Sequence, residues 1–224
     1  MGKIVKFDTS DIYEDLRVKL VTGFFEQGQK LRPGDLRDAY GCSANTLREA
    51  LLRLSAVGLV SFEEQRGFRA CEGSDLRRSD LTQFRILLEQ EGTTRSMAQG
   101  GIEWEAQVTA AHYKLSHIEN EISKTGQTAP LLGPWSAAEW EFHYTLISAC
   151  GSDVLRETFR MVYDQFRQQL ITKARNYGYF PGNVAEHKQI VEAVQARDAA
   201  LCRQRIYDHL ARNLVPSNLT PVLA

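Results

Sequence analysis

The chain has no surplus of positive charge. Its formal net charge is −1 at pH 7 over 224 residues, and acidic and basic side chains also balance within residues 1–74. A polycationic coat is excluded, so any anion-binding surface must be built from a few placed cations. Cysteine is sparse: Cys42, Cys71, Cys150 and Cys202 lie far apart and form no CxxC pair, which argues against a disulfide framework and for reduced thiols in a cytoplasm. No apolar run approaches the roughly 18 residues needed to cross a bilayer. The opening Met1-Gly2-Lys3-Ile4-Val5-Lys6 lacks the apolar centre of an export signal, and the expectation is a cytoplasmic chain without a membrane partner. There is no nucleophile motif. After residue 75 neither a repeat nor strand-like alternation occurs.

What is present divides into two parts. The composition, 43% hydrophobic and 25% charged, is that of a globular protein, and the length suits two domains. Ile12, Leu16, Leu20 and Phe24 recur every four residues, with Tyr13 beside them, predicting an amphipathic helix over 11–25. Leu31-Arg32-Pro33 to Tyr40-Gly41 reads as a short helix opened by proline and closed by glycine. Next comes Ser43-Ala44-Asn45-Thr46-Leu47-Arg48-Glu49-Ala50-Leu51-Leu52-Arg53-Leu54, in which Leu47, Ala50, Leu51 and Leu54 form one apolar face and Ser43 is a suitable N-cap. After Gly58, the runs Leu59–Phe62 and Gly67–Ala70 suggest a hairpin. Helices plus a hairpin in this order describe a winged helix-turn-helix, with Ser43 to Leu54 as the helix offered to DNA. Arg48 and Arg53 also fit a solvated face paired with Glu49 or Glu63.

Residues 10–72 resemble the DNA-binding head of the GntR family of bacterial transcription regulators. The resemblance lies in Leu31-Arg32, Ser43 to Leu51 with its Arg48-Glu49-Ala50-Leu51, Gly58-Leu59 and Arg66-Gly67. It implies that Arg32, Arg48, Arg66 and Gly67 contact DNA, with Ser43 and Thr46 close to it. Two positions depart from the pattern. Ala44 stands where the family often has a guanine-reading arginine, and Asn45-Thr46 replaces threonine-proline. Asparagine suits adenine, so a divergent operator is expected.

Polar residues 74–80 read as a linker between a head at 1–73 and an all-α bundle at 81–224. The fold class expected is mainly α. In the bundle, Phe84, Leu87, Leu88 and Glu91 open a helix, and Val108, Ala111, Leu115 and Ile118 stripe a second. Glu139 and His143 project from one face of a helix one turn apart, while His187 and His209 each sit on an apolar stripe. One carboxylate and three imidazoles directed into one interior suit a divalent transition metal, zinc first, with nickel or manganese as alternatives. The same residues also fit hydrogen-bonded core histidines, and spacing leaves both readings open. His112 and His117, five apart, read as surface or packing residues.

Residues 80–214 are similar to the FCD ligand-binding domain of the FadR subfamily, through Phe84 to Glu89, Glu139-x-x-Phe142-His143, Glu186-His187 and Asp208-His209-Leu210. The resemblance implies a metal held by an aspartate and three histidines, with Glu139 in the aspartate's place. It also shows Ser152 where asparagine is common. Gly100 to Ala106 further resembles the CsiR branch, regulators of glutarate and γ-aminobutyrate catabolism. A small carboxylate effector is then expected beside the metal, with Arg85, Arg167 or Arg175 as its cation and Tyr144, Tyr163, Phe166 and Tyr177 as lining. The arginines fit interhelical salt bridges and the aromatics fit core equally well. The function that follows is a homodimeric, metabolite-responsive repressor on a palindromic operator. The alternatives are a small metal-dependent hydrolase using Glu139 or a metal-bound water as general base, and a regulator whose histidines are structural.

Overall fold

The computed structural model describes residues 9–171 and 178–215. The elements of the head are α1 (Thr9–Val21), β1 (Lys30–Leu31), α2 (Pro33–Tyr40), α3 (Ala44–Ala56), β2 (Val60–Glu63) and β3 (Gly67–Ala70). Those of the bundle are α4 (Asp75–Gln99), α5 (Ile102–Thr125), a 3-10 turn at Ala129–Leu131, α6 (Leu132–Ile147), α7 (Asp153–Leu170), α8 (Asn183–Gln195) and α9 (Ala199–Ala211). The fold is therefore mainly α, a winged helix-turn-helix followed by a helical bundle.

Local chemistry accounts for the head. Pro33 opens α2, where a missing N–H costs nothing, and Gly41 closes it in the left-handed region at φ +60°. Ser43 caps α3, its Oγ accepting from the Thr46 amide at 3.1 Å. Leu47, Ala50, Leu51 and Leu54 are buried against Ile12, Leu16 and Leu20 of α1 in a core that also takes Leu59 and Phe68. The stripe on α1 stops one residue set earlier than its spacing suggests. The helix ends at Val21, Gly23 turns the chain at φ +76°, and Phe24 is exposed while Phe25 takes the buried place. The sheet gains a strand that the sequence did not announce. Two-residue β1 pairs antiparallel with β3, Leu31 opposite Phe68, giving the order β1-β3-β2. At that length no alternation exists to be read.

The polar stretch 74–80 joins the head to the bundle as helix from Asp75 onward and not as loop. Ser74 caps α4, accepting from the Arg77 amide, and Asp75 in the first turn suits the positive end of the helix dipole. The polar side chains of this stretch belong to the first turns of a 25-residue helix. On α4 the buried face is Thr82, Arg85, Ile86, Glu89, Thr93 and Ser96, while Phe84 and Leu87 are exposed. The first bundle helix therefore turns charge inward, against the apolar reading of its sequence. On α5, Glu119 takes the buried position in place of Ile118. Trp104, Leu115, Trp135, Phe142, Phe159, Phe166, Ile190 and Ile206 fill the surrounding core. Ser152, at the position where the resemblance suggests asparagine, caps α7 by accepting from Leu155 N at 3.2 Å.

Candidate sensor site and reading head

Three helices bring the histidines of the bundle together. His143 from α6, His187 from α8 and His209 from α9 each offer a ring nitrogen, and these atoms lie within 4.8 Å of one another. Each ring turns its Nδ1 to a carboxylate. His143 faces Glu89 Oε1 at 2.5 Å, His187 faces Glu119 Oε2 at 3.2 Å, and His209 faces Glu186 Oε2 at 2.8 Å. With Nδ1–H donated outward, Nε2 carries a lone pair into the interior. Among the described residues the Nε2 atoms of His143 and His187 are buried without a hydrogen-bond partner. Burial holds the His143 imidazolium well below the usual range, and Arg85, His187 and Arg167 add to the effect. Burial acts first on His209 too, followed by His187, His143 and Arg85. For His143 and His209 this environment favours the neutral imidazole, the form able to bind a cation.

Glu139 does not join this cluster among the described residues. It projects from α6 one turn before His143, as its spacing requires, but its Oε2 lies 3.0 Å from Arg167 Nη1 in a buried ion pair. The reason is tertiary: α7 delivers a guanidinium to that point, and a buried carboxylate takes the charge partner within reach. Arg85 is buried beside it, donating Nε–H to Glu89 Oε2 at 3.1 Å and resting its guanidinium on the rings of Tyr163 and Phe166. Burial raises the Glu89 carboxyl while Arg85 opposes the rise. Burial likewise drives the Tyr163 hydroxyl well above its ordinary value, with Glu139 adding to it.

Several donors in this interior are unspent. Arg85 Nη2, Arg167 Nε and Nη2 and the Tyr163 hydroxyl are buried with no hydrogen-bonding partner among the described residues, while Arg167 Nη1 meets Glu139 alone. The arrangement therefore offers cationic donors next to imidazole nitrogens, a pairing that can take an anion. Tyr144 lies elsewhere. It stacks on Trp140 with ring centroids 4.9 Å apart, under the Arg160 guanidinium, and is partly exposed. Arg175 and Tyr177 lie outside the described residues. His112 packs on Phe142, its ring centroid 5.9 Å away, and His117 is exposed.

The carboxylates behind the imidazoles were not foreseen as a set. Glu89 stands four residues after Arg85, and Glu119 four after Leu115 on its stripe. An acid at a helical core position is the signal that points to them.

In the head, Ser43, Asn45 and Arg48 are exposed at the start of α3, and Thr46 is half-buried by its contact with Ser43. The Arg48 guanidinium rests 5.5 Å from the Phe62 ring centroid on the wing. Arg53 instead covers Tyr13 at 4.4 Å, facing the body of the head. Arg32 pairs with Asp35 and Arg66 with Glu63, both exposed pairs of the kind that phosphate can replace. Gly67 turns the wing at φ +74°.

Comparison with known proteins agrees with this geometry. Residues 8–69 match the family of bacterial regulatory proteins named gntR, and residues 80–212 match the FCD domain. The chain is 33% identical to the uncharacterized HTH-type transcriptional regulator BphR of Paraburkholderia xenovorans, over 90% of this chain and 82% of that one. It is 29% identical to the HTH-type transcriptional repressor GlaR of Escherichia coli, over 89% and 91%. Its fold is similar to that of E. coli McbR/YncC, with a TM-score of 0.77 at 18% identity over 95% of this chain and 96% of that one. These relatives are regulators, which sets aside the hydrolase alternative. No helix of the described residues is long and apolar enough to cross a membrane. A winged head followed by a helical bundle, matched end to end in this way, makes the chain a DNA-binding transcriptional regulator of the GntR family with an FCD domain.

Proposed function

We propose that the bundle is a sensor in which His143, His187 and His209 hold a divalent transition metal, zinc foremost with nickel or manganese as alternatives. A small carboxylate bound beside it sets the affinity of the head for operator DNA, and the regulator is a repressor. The observation that carries this reading is the pair of buried, unpartnered Nε2 atoms on His143 and His187, each on a ring whose Nδ1 faces a carboxylate. A ring nitrogen left unpaired in a dry core is costly, and a metal relieves that cost. Carboxylates behind the rings fix the tautomer such a ligand needs. A bound ion would supply open coordination positions to an oxygen anion. The unspent guanidinium donors of Arg85 and Arg167 provide the organic anion's other partners. Glu139 then competes with the effector for Arg167 in place of binding the metal itself.

On the output side, Arg32, Ser43, Asn45, Thr46, Arg48, Arg66 and Gly67 meet DNA, with Asn45 reading adenine where an arginine at position 44 would read guanine. One α3 per chain reads one half-site, so a homodimer on a palindromic operator follows. Control comes from the effector's differential affinity for two arrangements of the heads.

Metal analysis of the purified chain and a thermal-shift screen of small mono- and dicarboxylates test the sensor. A ligand at 100 times its Kd should stabilise by about 2.7 kcal/mol, and His143→Ala should abolish the response. A chain that binds no transition metal, with His143→Ala responding normally, leaves the histidines as structural core. For the head, Arg48→Ala should weaken binding to a selected operator by roughly 1–3 kcal/mol at moderate salt. Unchanged affinity would remove Arg48 from the interface.

A further inference from the structure

Helix α7 is enclosed on all sides over its last turns: every residue from Val162 to Ile171 is buried. Tyr163, Phe166, Arg167 and Leu170 face the bundle, where Arg167 meets Glu139 and Tyr163 meets Arg85 and His143. Asp164, Gln165, Gln168 and Gln169 make up the opposite face, buried yet wholly polar. Burying a polar face is costly unless its groups find partners, and the three side-chain N–H groups find theirs in the head. Gln165 donates Nε2–H to Val57 O at 3.0 Å, Gln168 to Leu59 O at 2.9 Å and Gln169 to Glu72 O at 3.1 Å. Two of the oxygens meet the start of α4: Gln169 Oε1 accepts from Ser74 N at 2.9 Å, and Gln165 Oε1 from Arg77 Nη2 at 2.6 Å. Gln27 of the head returns a bond to Gln168 O at 3.0 Å, one of the carbonyls that a helix end leaves free. Arg17 and Asp164 add an ion pair at 2.7 Å.

The three carbonyls gripped are informative in their placement. Val57 caps the C-terminal end of α3, Leu59 leads into β2, and Glu72 follows β3, so the amides hold both strands of the wing at their roots and the end of the helix that reads DNA. Gly58 lies between them at φ +73°, and a Cβ there would stand 2.9 Å from Gln165 Nε2. Glycine serves both the turn and the close approach. An apolar seam would tolerate sliding. Directed bonds from three amides to three main-chain oxygens fix one register.

We propose that Gln165, Gln168 and Gln169 are positioning residues, a main-chain clamp that fixes the direction of α3 from the same helix whose other face carries Arg167 into the sensor site. The clamp itself stands on the geometry above. Its role in signalling rests on the proposed metal and effector site, because a shift of α7 caused there is passed to the wing roots through these bonds.

Hydrogen exchange on the full chain, read by mass spectrometry with and without zinc ion, tests both parts. Without metal, the combined variant Gln165→Ala, Gln168→Ala, Gln169→Ala should exchange about tenfold faster over residues 57–60 and 71–75, as the loss of ordinary hydrogen bonds implies. Amides of α1 and the middle of α3 should keep their wild-type protection, showing that the head stays folded. Should the triple variant unfold, Gln168→Glu alone, which sets a carboxylate against Leu59 O, should give the same local loosening. Unchanged exchange in these segments overturns the clamp. With zinc, wild type should gain protection around His143, His187 and His209 and change its exchange at 57–60 and 71–75. The triple variant should keep the first effect and lose the second. Protection in the bundle with an identical wing response in both proteins, or none in wild type, overturns the signalling role. Absence of any zinc effect on the bundle refutes the metal reading and the signalling role with it, while the metal-free comparison still decides the clamp.

Discussion

Among the described residues of the head the buried set is apolar, built on Ile12, Leu16, Leu47, Leu51, Leu54, Leu59 and Phe68, and the residues read as DNA-facing stand outside it. The bundle is arranged the other way. Arg85, Glu89, Glu119, Glu139, His143, Arg167, His187 and His209 are inside, surrounded by an apolar shell. A surface that reads a large polyanion needs a firm body beneath it, and burial of leucine supplies that firmness. A site that encloses a small anion needs its charges dry, where each interaction is strong and each unpaired group costly. The head should therefore be robust to changes at its functional residues, and the bundle fragile at its own.

The largest expected break in this contrast comes from Glu139→Ala. Removing one partner of a buried pair strands the Arg167 guanidinium, so urea denaturation should show a loss of roughly 3–5 kcal/mol. Adding Arg167→Met should recover much of it. A loss below about 1 kcal/mol, the scale of exposed pairs such as Arg32–Asp35, would mean that the bundle's charges are not dry. A smaller effect is expected from Ser43→Ala, which removes the α3 cap bond to Thr46 N. About 1 kcal/mol of stability should be lost, and DNA affinity should fall with the order of the first turn while zinc uptake stays intact. Equal sensitivity of zinc uptake would show that the two cores are not separate.

The third expectation sharpens the contrast at alkaline pH. Burial, followed by the hydrogen bond to Asp15, pushes the Tyr40 hydroxyl of the head from 10.0 up to about 12. Because the folded value lies above the unfolded one, this contribution to stability is complete below pH 10 and is lost as pH climbs through 12. The phenolate absorbance difference between wild type and Tyr40→Phe should rise near pH 12. A rise at the ordinary tyrosine value would contradict the burial.

Much of the head was legible because its determinants are close in sequence. Pro33, Gly41, Ser43 and the Leu47-Ala50-Leu51-Leu54 face are each read from neighbours a turn or less apart, and they stand where their spacing placed them. Phe24 was not, since the stripe on α1 continues in sequence past the point where Gly23 turns the chain. Nor was the start of α4, whose polar first turns look like a loop until α7 is seen packed across them. In the bundle, the helical stripes and the FCD resemblance pointed to His143, His187 and His209, which do converge. Glu139 was named for the same cluster and is held by Arg167 instead.

By itself, then, the sequence determined where α2 and α3 begin and end, the apolar face of α3, and which imidazoles point inward, because these follow from backbone caps and from the 3.6-residue period. Only the tertiary structure decided the partners. Glu89 reaches His143 across 54 positions of sequence and Glu119 reaches His187 across 68, and the amides of α7 reach the wing roots across more than 90. A buried polar group takes whatever complementary group the packing delivers. That choice is made between helices, where no periodicity along the chain records it.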